Sequence, residues 1–305
     1  MKNVGTSVRT RLKNVSVQTG IDMPTLLRRY VQERLLYRLS ISSEAENFVL
    51  KGGLLLAAYN DGNLLRPTED IDFNGSAVSG DIERLRSALI TVLSAAAPDD
   101  GVEFMLDTMK IKKDRDGIVP GGKIAMVAKV DTARVELKVD VGFGNPVTPE
   151  TKMIEFPTIL DGITPRPVMR SYPLETVIAE KLHAMAQFGE ASTRFKDYYD
   201  IWHLSQLHEF DADTLADAVQ ITFSHQRREI PEEFSGLGQR FAANGARGWN
   251  AFVSKLPGAS KQEFQDVIAD ISDFLKPISE CARTGDRSGS TWTPGIGWKS
   301  PALAL

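Results

Sequence analysis

The chain has 305 residues, of which 42% are hydrophobic and 25% charged, and a formal net charge of −4. These are the proportions of a soluble globular protein, long enough for two packed subdomains and a sizeable core without disulfides or structural metals. Cys281 is the single cysteine, which excludes an internal disulfide and a cysteine-based zinc cluster.

No apolar run approaches bilayer-spanning length, and the first twenty residues lack a signal-peptide core, so a cytoplasmic chain with no membrane partner is expected. The first forty residues are basic: Lys2, Arg9, Arg11, Lys13, Arg28, Arg29, Arg34 and Arg38 stand against Asp22 and Glu33. That bias reads either as the solvated face of an amphipathic helix or as a surface that follows a phosphate backbone.

In chain order, Leu26, Leu27, Tyr30, Val31, Leu35 and Leu39 recur at helical spacing and predict a helix over 22–40, with Pro24 in its first turn. Phe48-Val49-Leu50 leads into Lys51-Gly52-Gly53 and then an apolar helical run through Tyr59. Asp70-Ile71-Asp72-Phe73 alternates as a half-buried strand does, and residues 80–97 return to helical spacing. Three strands are predicted over 102–112, 123–130 and 133–143. They are joined by a turn around Asp116, Gly117 and Pro120 and by the tight Asp131-Thr132. After a proline-rich stretch the character is helical from about 174 to 277. The division expected is therefore 1–170 as a sheet-containing domain with N-terminal helices, 171–280 as a helical domain, and 281–305 as an irregular tail docking through Trp292 and Trp298.

The chemistry gathers in a few places. Two carboxylates one residue apart on a strand, Asp70 and Asp72, point to the same side and suit a hard divalent cation such as Mg²⁺. Gly52 and Gly53 let backbone approach anionic oxygens. Asp140 lies on the polar face of a strand that alternates strictly from Val135 to Val141. It is either the third carboxylate that two-metal phosphoryl-type transfer requires or one more exposed charge beside Glu136 and Lys138. Lys181 projects from the edge of an apolar helical stripe (Val177, Ile178, Leu182) and could meet a triphosphate. Lys196 and Asp200 are spaced to pair along a helix, with nucleotide binding by Lys196 the equal alternative, and Asp197 with Asp200 suits nucleotide positioning. His183, His203, His208 and His225 show no zinc-type spacing.

Together, Phe48 to Leu56, Arg66 to Phe73, Lys138 to Gly144, Glu175 to Leu182 and Arg194 to Leu204 resemble the AbiEii nucleotidyltransferase toxins, and the helix from Leu26 to Ser40 is similar too. The resemblance implies an α+β fold: a polymerase-β-like nucleotidyltransferase core, a mixed sheet flanked by helices, followed by a helical C-terminal domain. It implies a toxin of a bacterial toxin–antitoxin or abortive-infection pair, with an AbiEi-type antitoxin as partner. The implied reaction takes NTP as co-substrate with two Mg²⁺ ions, and the expected acceptor is RNA, at the 3′ end of tRNA. A protein hydroxyl (AMPylation) or a small molecule stays open as acceptor, as does a non-catalytic binding role. Carried over by motif, Gly52 and Gly53 match the glycine–serine loop, Asp70 and Asp72 the metal ligands, Asp140 the third acid, Lys181 the lysine of the third motif, and Asp197 and Asp200 the aspartates of the fourth. Gly53 stands where many nucleotidyltransferases have serine, so phosphate contact there falls to backbone N–H groups.

Overall fold

The computed structural model describes residues 4–63, 65–75, 81–114, 121–256 and 262–300. The turn expected around Asp116, Gly117 and Pro120, and the last five residues of the tail, lie outside them. The chain divides into two compact units, Met1–Asn145 with Thr151–Tyr172, and Pro146–Glu150 with Pro173–Leu305.

The first unit runs α1 (Val4–Thr19), α2 (Met23–Ser40), β1 (Phe48–Lys51), α3 (Gly52–Leu55), β2 (Asp70–Gly75), α4 (Ile82–Leu93), β3 (Val102–Asp114), β4 (Gly121–Val130), β5 (Ala133–Phe143), β6 (Lys152–Glu155) and β7 (Val168–Ser171). Its strands form one mixed seven-stranded sheet in the order β3-β4-β5-β2-β1-β7-β6. β2 pairs parallel with β5, and β1 with β7. Alternation on the strands explains the two faces. Val135, Leu137, Val139 and Val141 of β5 are buried, as are Ile71 and Phe73 of β2 and Ile124 and Met126 of β4. Helices α2 and α4 pack against the sheet. The acidic and basic residues between the apolar ones are left on the other face.

Helix α2 begins where expected, with Asp22 capping it by accepting a hydrogen bond from the Thr25 N–H at 2.9 Å. It is neither a solvated face nor a phosphate-binding one along most of its length. Arg29, Arg34 and Arg38 are buried, and each is committed inside the unit. Arg29 donates to Glu33 at 2.7 Å and lies over the Phe156 ring, while Glu33 accepts the Ile159 N–H on both oxygens. Arg34 donates to the Pro165 carbonyl at 3.1 Å. Arg38 grips Asp100 through two hydrogen bonds of 2.6 and 3.1 Å. The charges fasten the helix to distant loops; Arg11 and Lys13 of α1 stay exposed.

The helical run expected after Gly53 is a single α turn. It continues as i→i+3 turns, with the Ala57 and Ala58 N–H groups donating to the Leu54 and Leu55 carbonyls. The proline-rich stretch, where no strand was expected, supplies β6 and β7.

The second unit holds α5 (Leu174–Phe188), α6 (Phe195–Leu207), β8 (Phe210–Asp211), α7 (Ala212–His225), α8 (Gln239–Val253), α9 (Phe264–Thr284), β9 (Thr291–Thr293) and β10 (Gly297–Lys299). Its core is aromatic: Trp249 stacks on Phe264 with ring centroids 5.0 Å apart, and Phe264 meets Tyr198 and Phe241 edge-on. The tail expected to be irregular forms the hairpin β9–β10, which pairs with β8. Its tryptophans dock, Trp292 donating to the Ser205 carbonyl at 2.7 Å and Trp298 stacking on Phe274. Burying Trp292 and half-burying Trp298 orders a segment whose glycine and serine content favours irregular chain.

Replacing Asp100 by Ala strands the buried Arg38 charge and is expected to lower the unfolding free energy by about 3–5 kcal/mol. Urea denaturation checks this; an unchanged midpoint would mean Arg38 finds water instead.

Candidate active site

The carboxylates singled out from the sequence meet through strand register. In the parallel pair β2–β5, Asp72 stands directly beside Asp140, and Asp70 beside Lys138. Directly opposed residues share a face of a sheet, and Asp70 and Asp72 share one by alternation. The three acids therefore lie on the single polar face of the first unit, each half-buried. The row continues through β1, where Lys51 opposes Asp72.

The glycines fit this geometry closely. Gly52 has φ +71°, and a Cβ there would lie 2.0 Å from Oδ2 of Asp72. The left-handed backbone and the seated carboxylate each require glycine. A Cβ at Gly53 would lie 2.7 Å from the Arg66 guanidinium and 3.1 Å from Oγ1 of Thr68. The space a serine side chain would need is thus taken by a cation. Arg66 and Thr68 were visible only as members of the Arg66–Phe73 block; nothing in their spacing pointed to the glycine loop.

Among the described residues, no three His, Cys, Asp or Glu side chains are already gathered around one ion position. The donor set still suits a hard divalent cation: Mg²⁺ is bound by one or two carboxylates plus substrate phosphate and water, rather than by a complete protein cage.

The second unit carries a separate constellation. Lys181 on α5 is buried and bridges two carboxylates of α6, Asp197 at 2.9 Å and Asp200 at 2.7 Å. Arg194 holds the other oxygen of Asp197 at 2.6 Å. Burial pushes the Asp197 carboxyl up, but the Lys181 and Arg194 charges outweigh it and hold the group down at about 2. Asp200 thus accepts from Lys181, while Lys196, the helical neighbour expected to pair with it, is exposed. His183 packs edge-on to Phe223, and His203 stacks on Tyr199.

A sheet that brings paired carboxylates beside a glycine turn defines a class of protein, the nucleotidyltransferases, and the comparisons agree. Residues 34–270 match the family described as "Nucleotidyl transferase AbiEii toxin, Type IV TA system". The chain belongs to this family of nucleotidyltransferase toxins from toxin–antitoxin systems, and the match reaches further toward the C-terminus than the sequence blocks that first suggested it. Such enzymes generally use an NTP and a divalent metal. Among solved structures it is similar to MenT4, a nucleotidyltransferase toxin from Mycobacterium tuberculosis H37Rv, at 18% identity and a TM-score of 0.54, covering 92% of this chain and 99% of that one. It is also similar to JHP933 from Helicobacter pylori, at 16% identity and a TM-score of 0.48, covering 87% and 94%. No curated protein sequence matches the chain. Among the described residues, no helix is long and apolar enough to cross a membrane.

Two outcomes follow from the geometry. Gly52→Ala should lose about 2 kcal/mol or more of stability, because it combines a strained φ with a displaced Asp72, and should abolish nucleotide transfer. Thermal unfolding and a transfer assay check both, and full activity would show that Asp72 can move without cost. For Asp197, whose folded pKa lies below its ordinary 3.8, the stabilisation is complete above about pH 4 and is lost as pH falls toward 2. Asp197→Asn should therefore flatten that acid limb in a stability–pH profile; an unchanged limb would remove Asp197 as its source.

Proposed function

We infer that this chain transfers a nucleoside monophosphate from an NTP to the 3′-terminal hydroxyl of an RNA, with tRNA as the acceptor, in the cytoplasm. In this reading it acts as a toxin held in check by an AbiEi-type antitoxin. The observation that carries the chemistry is the side-by-side placement of Asp72 and Asp140 on the polar face, with Asp70 two residues away. RNA as acceptor is drawn from the family resemblance; Arg29, Arg34 and Arg38 of α2 lend it no support, being committed to internal partners.

In this reading Asp70 and Asp72 hold the metal that accompanies the nucleotide, and Asp140 shares a second Mg²⁺ on the acceptor side. When bound, such ions neutralise charge on the triphosphate and lower the pKa of the attacking hydroxyl. The Gly52-Gly53 turn, lined by Asp72 and Arg66, receives the phosphates through its backbone N–H groups, and Arg66 adds positive charge where pyrophosphate leaves. Asp140 orients the acceptor hydroxyl. An oxygen–phosphorus bond to the α-phosphorus forms as the α–β phosphoanhydride breaks, and the proton passes to solvent. Lys181, Asp197 and Asp200 are assigned to nucleotide handling by motif alone, and Lys196 only as an exposed cation on the same helix as the two aspartates. The packing explains a structural part of their role, since the Lys181 ion pairs tie α5 to α6.

Asp70→Ala and Asp72→Ala should each cut transfer of labelled NMP to tRNA by about a thousand-fold or more while the melting temperature stays near that of the unaltered protein. Incubation with labelled NTPs, total tRNA and lysate protein checks this. Retained transfer by Asp70→Ala would refute the metal assignment, and label entering protein alone would move the acceptor to a protein hydroxyl.

A further inference from the structure

The second unit holds an arginine that is fixed along one edge only. Arg194 stands immediately before α6, and its Nε–H donates to Oδ2 of Asp197 at 2.6 Å. Asp197 is itself held. Its side chain is only 2% exposed, and its other oxygen accepts from Lys181 at 2.9 Å. The Lys181 ammonium is bound in turn by Asp200 at 2.7 Å. The Arg194 guanidinium also lies over the ring of Phe188, the last residue of α5, 5.7 Å from its centroid. A buried carboxylate and an aromatic face thus set the plane of a side chain that is ordinarily rich in rotamers.

The outer edge is open. The Arg194 side chain is 42% exposed, and neither of its Nη groups has a partner among the described residues. Phe188 is 43% exposed. A guanidinium presents its donors as a planar fork that matches two oxygens of a phosphate. With Nε–H engaged, the Nη1–Nη2 edge is the part left for a ligand. The side chain is ordered before that ligand arrives, so binding restricts it less.

Arg194 also has a structural role. Asp197 and Asp200 share one ammonium, and Arg194 supplies the second positive charge. That role asks only for a cation beside Asp197. It calls for neither the fork nor the ring beneath it.

We propose that Arg194 is a phosphate-binding residue of the transfer reaction, aimed by Asp197 and Phe188 so that its Nη edge takes two oxygens of a nucleotide phosphate. The proposal rests on the reading of the chain as a nucleotidyltransferase and adds to it a ligand contact on the second unit. The reaction offers two sources of this chemistry, the triphosphate of the NTP and the backbone of an RNA acceptor, and the test separates them.

Arg194→Lys in the full chain keeps a cation beside Asp197 and loses the fork. Its affinity is measured for each of the four NTPs with Mg²⁺ and for a fluorescein-labelled single-stranded RNA with a free 3′ hydroxyl. Melting temperature and the stability–pH profile report the structural role. Affinity for at least one ligand should fall about ten-fold, the worth of one hydrogen bond between charged groups. Melting temperature and the acid limb should stay as in the unsubstituted protein. A fall with NTP puts the bound phosphate in the triphosphate, and a fall with RNA puts it in the acceptor strand. Unchanged affinity for both, with NMP transfer intact in the unsubstituted protein, overturns the assignment of Arg194 and leaves the enzyme reading standing. Unsubstituted protein that neither binds NTP nor transfers NMP overturns both. If Arg194→Lys melts lower or fails to fold, Phe188→Leu decides, since it leaves the Asp197 ion pairs in place and removes only the aromatic support. Affinity weaker by about three-fold for NTP or RNA then supports the proposal, and unchanged affinity for both refutes it.

Discussion

The candidate site depends on one constraint: β2 and β5 run parallel and in a register that sets Asp72 beside Asp140. In a sheet, a slip of one residue turns every side chain to the other face. Such a slip of β5 would send Asp140 into the apolar layer and bring Val139 or Val141 beside Asp70 and Asp72. The register is fixed from below. Ile71 and Phe73 of β2 and Val139 and Val141 of β5 are all buried on the opposite face, so any shift would expose them while burying charge. Packing on one side of the sheet thereby positions chemistry on the other.

The glycine turn is tied to the same carboxylate. Asp72 occupies the space over Gly52 that a side chain would take, and the Arg66 guanidinium occupies the corresponding space at Gly53. An anion and a cation therefore line one short backbone segment. The second unit organises its charges by another route, with Lys181 buried between Asp197 and Asp200. That arrangement trades the solvation of three ions for mutual contact, and removing any one member leaves the others uncompensated.

Much of this was legible in the residues. Strict alternation from Val135 to Val141 marked β5 and placed Asp140 on its polar face, and Asp70-Ile71-Asp72-Phe73 marked β2. What periodicity could not supply was the partner of each strand: that Asp72 meets Asp140 is a fact of tertiary register. Helix α2 misled because its arginines look solvated by pattern. Their partners Asp100, Pro157 and Pro165 are distant in sequence. Strands β6 and β7 were hidden in a proline-rich stretch, and the tail hairpin in a glycine- and serine-rich one. There a few buried contacts override local preference, as Trp292 does at Ser205.

In the proposed reading, three acids from two strands converge on divalent cations beside the glycine turn. Diffraction from crystals grown with Mn²⁺ and a non-hydrolysable NTP analogue tests it most directly, through the anomalous signal of the metal. Manganese is expected against the carboxylates of Asp70 and Asp72, within reach of Asp140, with the triphosphate over Gly52 and Gly53. Manganese bound elsewhere, or none with the nucleotide in place, would contradict it.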